Sequence, residues 1–316
     1  TDLEVRLSDI NAIVTHNTAI LGILGIGKSC LAYETLKRVS AEGIKVVCID
    51  ITNEYKKELP PYVGGVGQIV SDDENAFNVI NSKFDYVHTE TSGSNQKQVP
   101  DKSGNLAEYK DAIKKDLLGF LFGTTTMPAE PVFDASKKIR IYNVDYHKAS
   151  KGEKIGFNVL ATEMTQAEKT RVIAEELFKI LMKIPLADDK KAKVMLVFEE
   201  AHSLIPEWNS VASDGDKNAT NGTAKVILQG RKYGLGSMVI TQRTANVSKS
   251  ILNQCNTIFA LRVFDDTGKQ FLENYIGSDY AATLATLDER HAIAIGKGLR
   301  LKQPVIIQLN DRQDVI

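Results

Sequence analysis

Eight residues near the start of the chain constrain it most: Gly22-Ile23-Leu24-Gly25-Ile26-Gly27-Lys28-Ser29. They fit G-x-x-x-x-G-K-[ST] at every fixed position. A short apolar run, Thr18–Leu21, leads in, and a helical pattern follows over Ser29–Val39, with Leu31, Ala32, Leu36 and Val39 on one face and Gly43 as a stop. Strand, glycine loop and helix in that order make a loop that holds a polyphosphate. The glycines let backbone N–H groups close around phosphate oxygens, and the helix N-terminus adds the positive end of its dipole. Lys28 is expected to reach the β- and γ-phosphates and the Ser29 hydroxyl to ligate Mg²⁺. Gly22, Gly25, Gly27, Lys28 and Ser29 are thus candidates for binding ATP with its Mg²⁺. The competing reading, a glycine-rich turn before an ordinary helix, is disfavoured by the complete motif. Cys30, the next residue, either packs near the nucleotide base or is a small buried residue.

The rest of the chain alternates short apolar runs with amphipathic stretches, which predicts an α/β fold. Strands are expected at Thr18–Leu21, Lys45–Ile51, Ile139–Val144, Val194–Phe198, Met238–Thr241, Ile258–Arg262, Ala292–Ile295 and Val305–Leu309. Val194–Phe198 is apolar without alternation, the pattern of a strand covered on both faces in a parallel sheet. Thr165-Gln166-Ala167-Glu168 is a capping box; behind it Val172, Ile173, Leu177, Ile180 and Leu181 form one stripe. Asn105–Phe122 reads as a further helix, ended by Gly123. Residues 60–135 break the alternation and are expected to be a helical insertion on a core of residues 1–59 and 136–316. Within the insertion the polar stretch Thr89–Lys102 reads as loop, and so does Asn209–Gly222 after Trp208.

Lys+Arg 39 against Asp+Glu 40 and 43% hydrophobic residues exclude a chain disordered throughout and a generally basic nucleic-acid coat protein. They leave room for a local basic lining. No apolar run approaches the length of a membrane helix, and the N-terminus has no signal pattern. Cys30, Cys48 and Cys255 form neither a disulfide framework nor a metal-ligand spacing. A cytoplasmic location is therefore expected.

A phosphate loop of this kind needs an acid at the end of another strand and a group that orients water. Val194–Phe198 runs directly into Glu199-Glu200. Glu199 stands where such strands usually carry Asp and is expected to ligate Mg²⁺, directly or through water; Glu200 is expected to polarise the attacking water. Two solvated acids at a strand end is the plainer alternative. His202 fits packing or hydrogen bonding better than catalysis. Gln242 and Arg243 end the strand Met238–Thr241, where a polar side chain can sense the γ-phosphate or place water. Gly230-Arg231-Lys232-Tyr233-Gly234 is a basic pair between glycines, which suits an arginine reaching into a neighbour's site. From these residues alone, a surface cation is the favoured reading of Arg231.

Taken together, these residues resemble the HerA branch of the HerA/FtsK family of ring-shaped P-loop motors. His16–Gly22, the Asp-x-x-x-Glu-Tyr element Asp50-Ile51-Thr52-Asn53-Glu54-Tyr55, Glu199-Glu200-Ala201-His202, Gly230–Gly234, Thr241-Gln242-Arg243 and Gln254-Cys255-Asn256-Thr257 follow in the family's order. The likeness covers about residues 14–56 and 190–310. It implies a RecA-like core with a mostly parallel central sheet, assembled as a hexamer with ATP at subunit interfaces. It also implies Arg231 as a finger acting in trans. Asp50 and Glu54 become candidates at the nucleotide site, against the plainer reading of Asp50 as a strand-end acid capping a loop. The family's small β-barrel before the core and its long C-terminal arm do not fit into this sequence. With the absent initiator Met, that reads as a chain whose upstream portion is missing.

The resemblance further implies movement of double-stranded DNA through a central channel, with a nuclease or other effector as partner, in some relatives within anti-phage defence. Support from the residues is modest: a basic loop His147–Lys154, then Lys137, Lys138 and Arg140, then Lys217 and Lys225, for all of which a solvated surface is the favoured reading. Two functions stay open: a DNA-translocating ATPase, and a nucleotide-dependent ring that organises an effector with slow hydrolysis.

Overall fold

The computed structural model describes residues 4–7, 9–71, 87–92, 95–100, 102–144, 164–185, 191–207 and 214–316. Eleven strands are found among them: β1 Thr18–Leu21, β2 Lys45–Ile49, β3 Ile69–Ser71, β4 Val87–Ser92, β5 Asn95–Pro100, β6 Ile139–Tyr142, β7 Val194–Phe198, β8 Leu235–Thr241, β9 Thr257–Ala260, β10 His291–Gly296 and β11 Leu301–Gln308. Nine form one sheet in the order β11-β10-β9-β1-β8-β7-β2-β6-β3. From β9 to β3 all neighbours are parallel, while β10 and β11 are antiparallel additions at one edge. The expected α/β architecture with a mostly parallel sheet is thus present, and all eight expected strands lie in this sheet.

Alternation along each strand distributes side chains to two cores. Val194, Leu196 and Phe198 of β7 face one core, Met195 and Val197 the other. In β2, Val47 and Ile49 point one way, Val46 and Cys48 the other. A strand buried on both faces favours apolar residues on both, which is why Val194–Phe198 reads as an unbroken apolar stretch.

Helices α1 Ile10–Thr15, α2 Lys28–Ala41, α3 Tyr55–Glu58 and α4 Pro60–Val63 belong to one face. Helices α5 Lys102–Phe122, α6 Gln166–Leu181, α7 Ala201–Leu204 and α8 Asp214–Gly230 belong to the other. The capping box at α6 is formed in both directions: Thr165 Oγ1 accepts from Glu168 N at 3.2 Å, and Thr165 N donates to Glu168 Oε2 at 2.8 Å.

Two stretches read as loop take regular structure. Thr89–Lys102 lies mostly in the hairpin β4–β5, paired from Val87↔Pro100 to Ser92↔Asn95. Its polar composition hides the strands because the hairpin stands outside the main sheet. The second loop, expected over Asn209–Gly222, is helical from Asp214 onward. Ala219 and Thr223 of this helix are buried, and Gly222 packs so closely on Arg171 of α6 that a Cβ there would overlap the guanidine stem. Small residues at a helix–helix contact give little hydrophobic signal. Residues 60–135 hold the edge strand β3 and this hairpin besides α5, whose Ile113, Leu117 and Leu121 enter the same core as α6. The basic stretch His147–Lys154 lies outside the described residues.

Candidate nucleotide site

The C-terminal ends of the parallel strands form one edge, and β1, β8, β7 and β2 are consecutive along it. Neighbouring strands are about 5 Å apart, so residues that follow these four strands share a mouth roughly 15 Å wide. Open α/β sheets bind ligands at this edge.

The Gly22–Ser29 loop leaves β1 here. Gly22 N donates to Thr241 O at 3.2 Å and Ile23 N to Arg262 O at 2.9 Å, so the loop is anchored to the ends of β8 and β9. A Cβ on Gly22 would stand 2.8 Å from Leu261 Cβ, which explains the first glycine. Gly27 has φ 105° and caps α2, a conformation open to glycine. Gly25 lies at the exposed crest beside Leu24. Lys28 is buried, and its Nζ donates to Ile23 O at 2.6 Å across the loop. Burial pulls its pKa down, partly offset by Glu200 and Glu199, which places both acids within electrostatic reach of Lys28. Ser29 and Cys30 are half-buried in the first turn of α2.

Glu199 and Glu200 follow β7. Glu199 is buried; its N donates to Ile49 O of β2 at 3.0 Å, and its Oε2 accepts from Tyr55 Oη at 2.6 Å. Burial pushes its carboxyl up to about 8, with Asp50 and Glu200 pushing the same way and Tyr55 and Lys28 opposing them. Glu200 takes the left-handed conformation, φ 52° and ψ 51°, costly for a side chain with a Cβ and a recurrent feature of functional sites. Its Oε2 is buried and has no hydrogen-bond partner, although His202 Nδ1 is 3.2 Å away. The same His202 Nδ1 also lies 3.3 Å from Thr241 Oγ1, which ties the β7 end to the β8 end. Gln242, directly after β8, is half-buried between the phosphate loop and the acid pair in strand order.

Asp50, at the end of β2, is wholly buried and accepts four hydrogen bonds from its own loop. Oδ1 takes Thr52 N at 2.8 Å, Thr52 Oγ1 at 2.7 Å and Asn53 N at 3.2 Å, and Oδ2 takes Tyr55 N at 3.0 Å. A carboxylate offers about four lone-pair sites, so Asp50 is occupied in shaping residues 51–55. That loop delivers Tyr55 to Glu199. Tyr55 also packs edge-on against Tyr33 of α2, with ring centroids 5.0 Å apart. The sequence offered Tyr55 only as part of a motif; its bond to Glu199 spans 144 positions and has no local signal.

Arg231 is at the opposite edge. It is exposed in the turn Arg231–Tyr233 that precedes β8, so the length of β8, about 20 Å, separates it from its own phosphate loop. His16, ahead of β1, shares that edge: burial first, then Arg231 and Lys297, press its pKa down. A cavity of about 740 Å³ opens there, lined by His16, Phe178, Met182, Leu228, Arg231 and Tyr233 among others. It is remote from the acid pair and is not the nucleotide mouth. Of the other basic candidates, Arg140 is buried in β6, bonded to Asp116 Oδ2 at 2.8 Å and stacked on Tyr142, and so faces no solvent. Lys217 and Lys225 lie on α8.

The donor set fits a nucleotide with a divalent cation: a glycine loop at a helix N-terminus, a buried lysine, and a buried carboxylate oxygen that accepts no hydrogen bond. Among the described residues no helix is long and apolar enough to cross a membrane.

The solved structure of VirB4 from Thermoanaerobacter pseudethanolicus matches 93% of this chain and 89% of its own with a TM-score of 0.53 at 13% identity, a likeness of fold. In sequence, a probable helicase of Methanocaldococcus jannaschii, MJ1565, is 20% identical over 345 residues, covering 98% of this chain and 65% of the relative. The DNA double-strand break repair helicase HerA of Saccharolobus solfataricus is 22% identical over 363 residues, covering 98% and 66%. The chain thus spans about two thirds of the length of these relatives. The family model described as the central domain of helicase HerA matches residues 1–276. The fold is that of an α/β P-loop ATPase, and the chain belongs to the HerA central-domain family.

Proposed function

We propose that the chain is the ATPase core of a ring-forming motor that hydrolyses ATP to move double-stranded DNA. One observation carries the reading most directly: the buried Glu200 Oε2, which no hydrogen bond satisfies although His202 Nδ1 is 3.2 Å away, at the end of β7 and within electrostatic reach of Lys28. A buried acceptor left unsatisfied is costly, and a water in line with the terminal phosphate would satisfy it. Glu200 then polarises that water, Lys28 leaves Ile23 O for the β- and γ-phosphates, and Gln242 helps place the water. Ser29 and Glu199 would hold Mg²⁺, whose charge would offset that of the phosphates. Asp50 acts through the loop that presents Tyr55 to Glu199.

Arg231 completes the site only from a second copy, because β8 separates it from its own loop. Exposed Leu228 and Met182 beside it supply apolar surface for that contact. This arrangement supports a head-to-tail ring, for which we adopt a hexamer. Residues 60–135 are kept as an insertion on the core. The relative named as a DNA double-strand break repair helicase supports DNA as the substrate. A nuclease or other effector is the expected partner. One observation favours the slower, scaffold-like alternative: Glu199 is committed to a 2.6 Å hydrogen bond from Tyr55 Oη, and burial pushes its carboxyl up to about 8.

ATP turnover by the assembled protein, with and without linear double-stranded DNA and with Glu200→Gln as the blank, separates the two. The motor reading expects strong stimulation. Unstimulated turnover, with ATP still driving assembly, replaces it with the scaffold.

A further inference from the structure

Arg290 sits on the phosphate loop, in a conformation that suits glycine better than arginine. It immediately precedes β10, and its φ is 57°. Its backbone is fixed on both sides: N donates to Ile26 O at 3.1 Å, and its O accepts from Leu309 N at 2.7 Å. Its aliphatic stem covers the last glycine of the loop, so a Cβ on Gly27 would come within 3.1 Å of Arg290 Cγ. The guanidinium is paired with Asp311, both side chains partly exposed at 33% and 56%. Such a pair is weak and readily exchanged.

Asp311 is itself held by the tail that follows β11. Asn310 Nδ2 donates to Glu34 Oε1 at 3.0 Å, Arg312 pairs with Glu58 at 2.7 Å, and Lys37 Nζ donates to Val315 O. These bonds tie the tail to α2, the helix that follows the phosphate loop, and to α3, the helix that begins with Tyr55.

A permanent cation thus stands beside the N-terminus of α2, where anionic oxygens are favoured, and its present counter-ion is an exposed carboxylate. A triphosphate carries more charge than Asp311, and its oxygens match the guanidinium fork. Resting on the reading of Gly22–Ser29 as a nucleotide loop, we propose that Arg290 is a nucleotide-binding residue whose guanidinium exchanges Asp311 for a phosphate oxygen of the bound nucleoside triphosphate. The left-handed backbone supports this. A residue that only pinned the tail would be served as well by an unstrained position, and strained residues persist where the side chain has a use.

The test is calorimetric titration of the full chain with ATP and, separately, with inorganic triphosphate, which has no base or sugar. Thermal melting is followed in parallel. Glycine takes φ 57° freely, so Arg290→Gly should fold at least as well as the parent. Its dissociation constant should rise about tenfold for both probes, the loss typical of one charge-assisted hydrogen-bonded contact. Asp311→Asn, which removes the competing carboxylate, should tighten ATP about threefold. Parental ATP affinity in Arg290→Gly overturns the proposal. So does a loss confined to ATP, which would place the contact on base or sugar, and so does a loss that appears only with a lowered melting temperature. Lys28→Ala is the control for the underlying reading. If it binds ATP normally, the nucleotide site itself is wrong; if it does not, an unaffected Arg290→Gly removes Arg290 alone.

Discussion

Replacing Glu199 by Gln should stabilise the nucleotide-free protein, and the gain should grow with pH. The carboxyl is buried, with its folded pKa about 8 against a reference of 4.5. A carboxyl whose pKa is raised on folding binds more protons folded than unfolded between those two values. Stability therefore falls as pH rises through that interval and levels off above the folded value. A tenfold change in proton affinity corresponds to about 1.4 kcal/mol, so the full cost of ionising Glu199 above pH 8 reaches at most about 5 kcal/mol. Water entering the mouth lowers this, and we expect a gain of at least about 2 kcal/mol at pH 8. Gln keeps the length of the side chain and the acceptor for Tyr55 Oη. Unfolding entropy near 2.1 cal/mol/K per residue converts that gain to roughly 3 °C for a chain of this size. The assay is thermal melting of parent and Glu199→Gln from pH 5 to 9, without nucleotide or divalent ions. The two should converge near pH 5 and separate steadily to pH 8. A difference that stays constant with pH, or a parent that gains on the variant as pH rises, refutes the burial argument.

Thiol chemistry tests the placement of the two cores and the loop together. Cys48 and Cys255 are buried, with burial raising Cys255 to about 12 and Cys48 well above its ordinary value, whereas Cys30 is half-buried beside Ser29. Ellman's reagent should therefore label Cys30 alone in the native protein and all three thiols after unfolding, and ATP should slow the native reaction severalfold; rapid native labelling of three thiols would contradict the packing. Arg231→Ala and Lys28→Ala should each abolish turnover, since a finger contributes roughly 10³–10⁵ in rate. Mixed rings of the two should recover part of it, through sites that combine an intact loop with a neighbour's intact arginine; no recovery in rings shown to contain both variants would remove the trans role.

The fold was legible where local pattern and tertiary position agree. Strands β1, β2, β6, β7, β8 and β9 lie in the parallel part of the sheet, with buried runs of four to seven residues. Strand β3 has three residues and is only partly buried, too short to show a period. Strands β4 and β5 pair with each other, so their sequence, His88-Thr89-Glu90 against Lys97-Gln98-Val99, carries no core stripe. Helix α8 was lost for another reason: it packs on α6 at Gly222 and buries Ala219 and Thr223, whose small side chains look like loop composition.

The site divides along the same line. A phosphate loop is local, because consecutive backbone amides must surround one ligand, so its residues are fixed in sequence as firmly as in space. The parts that adjust the site are not local. Tyr55 reaches Glu199 across 144 positions, and Arg290 closes over a glycine, Gly27, at the far end of the chain from it. Each depends on which strands neighbour β1 and β7 at the edge, and a period of two cannot specify that. Even Arg231, for which the family resemblance already implied a role in trans, gains a physical reason for it only from topology. Parallel strands put the residues that lead directly into β8 at one edge and those that directly follow β1 at the other. A basic residue between α8 and β8 cannot act on the phosphate loop of its own chain, however suggestive its flanking glycines. The sheet therefore gives the proposed ring a physical reason beyond the family resemblance: each copy carries the two halves of the proposed site on opposite edges, and head-to-tail contact would bring an intact pair together.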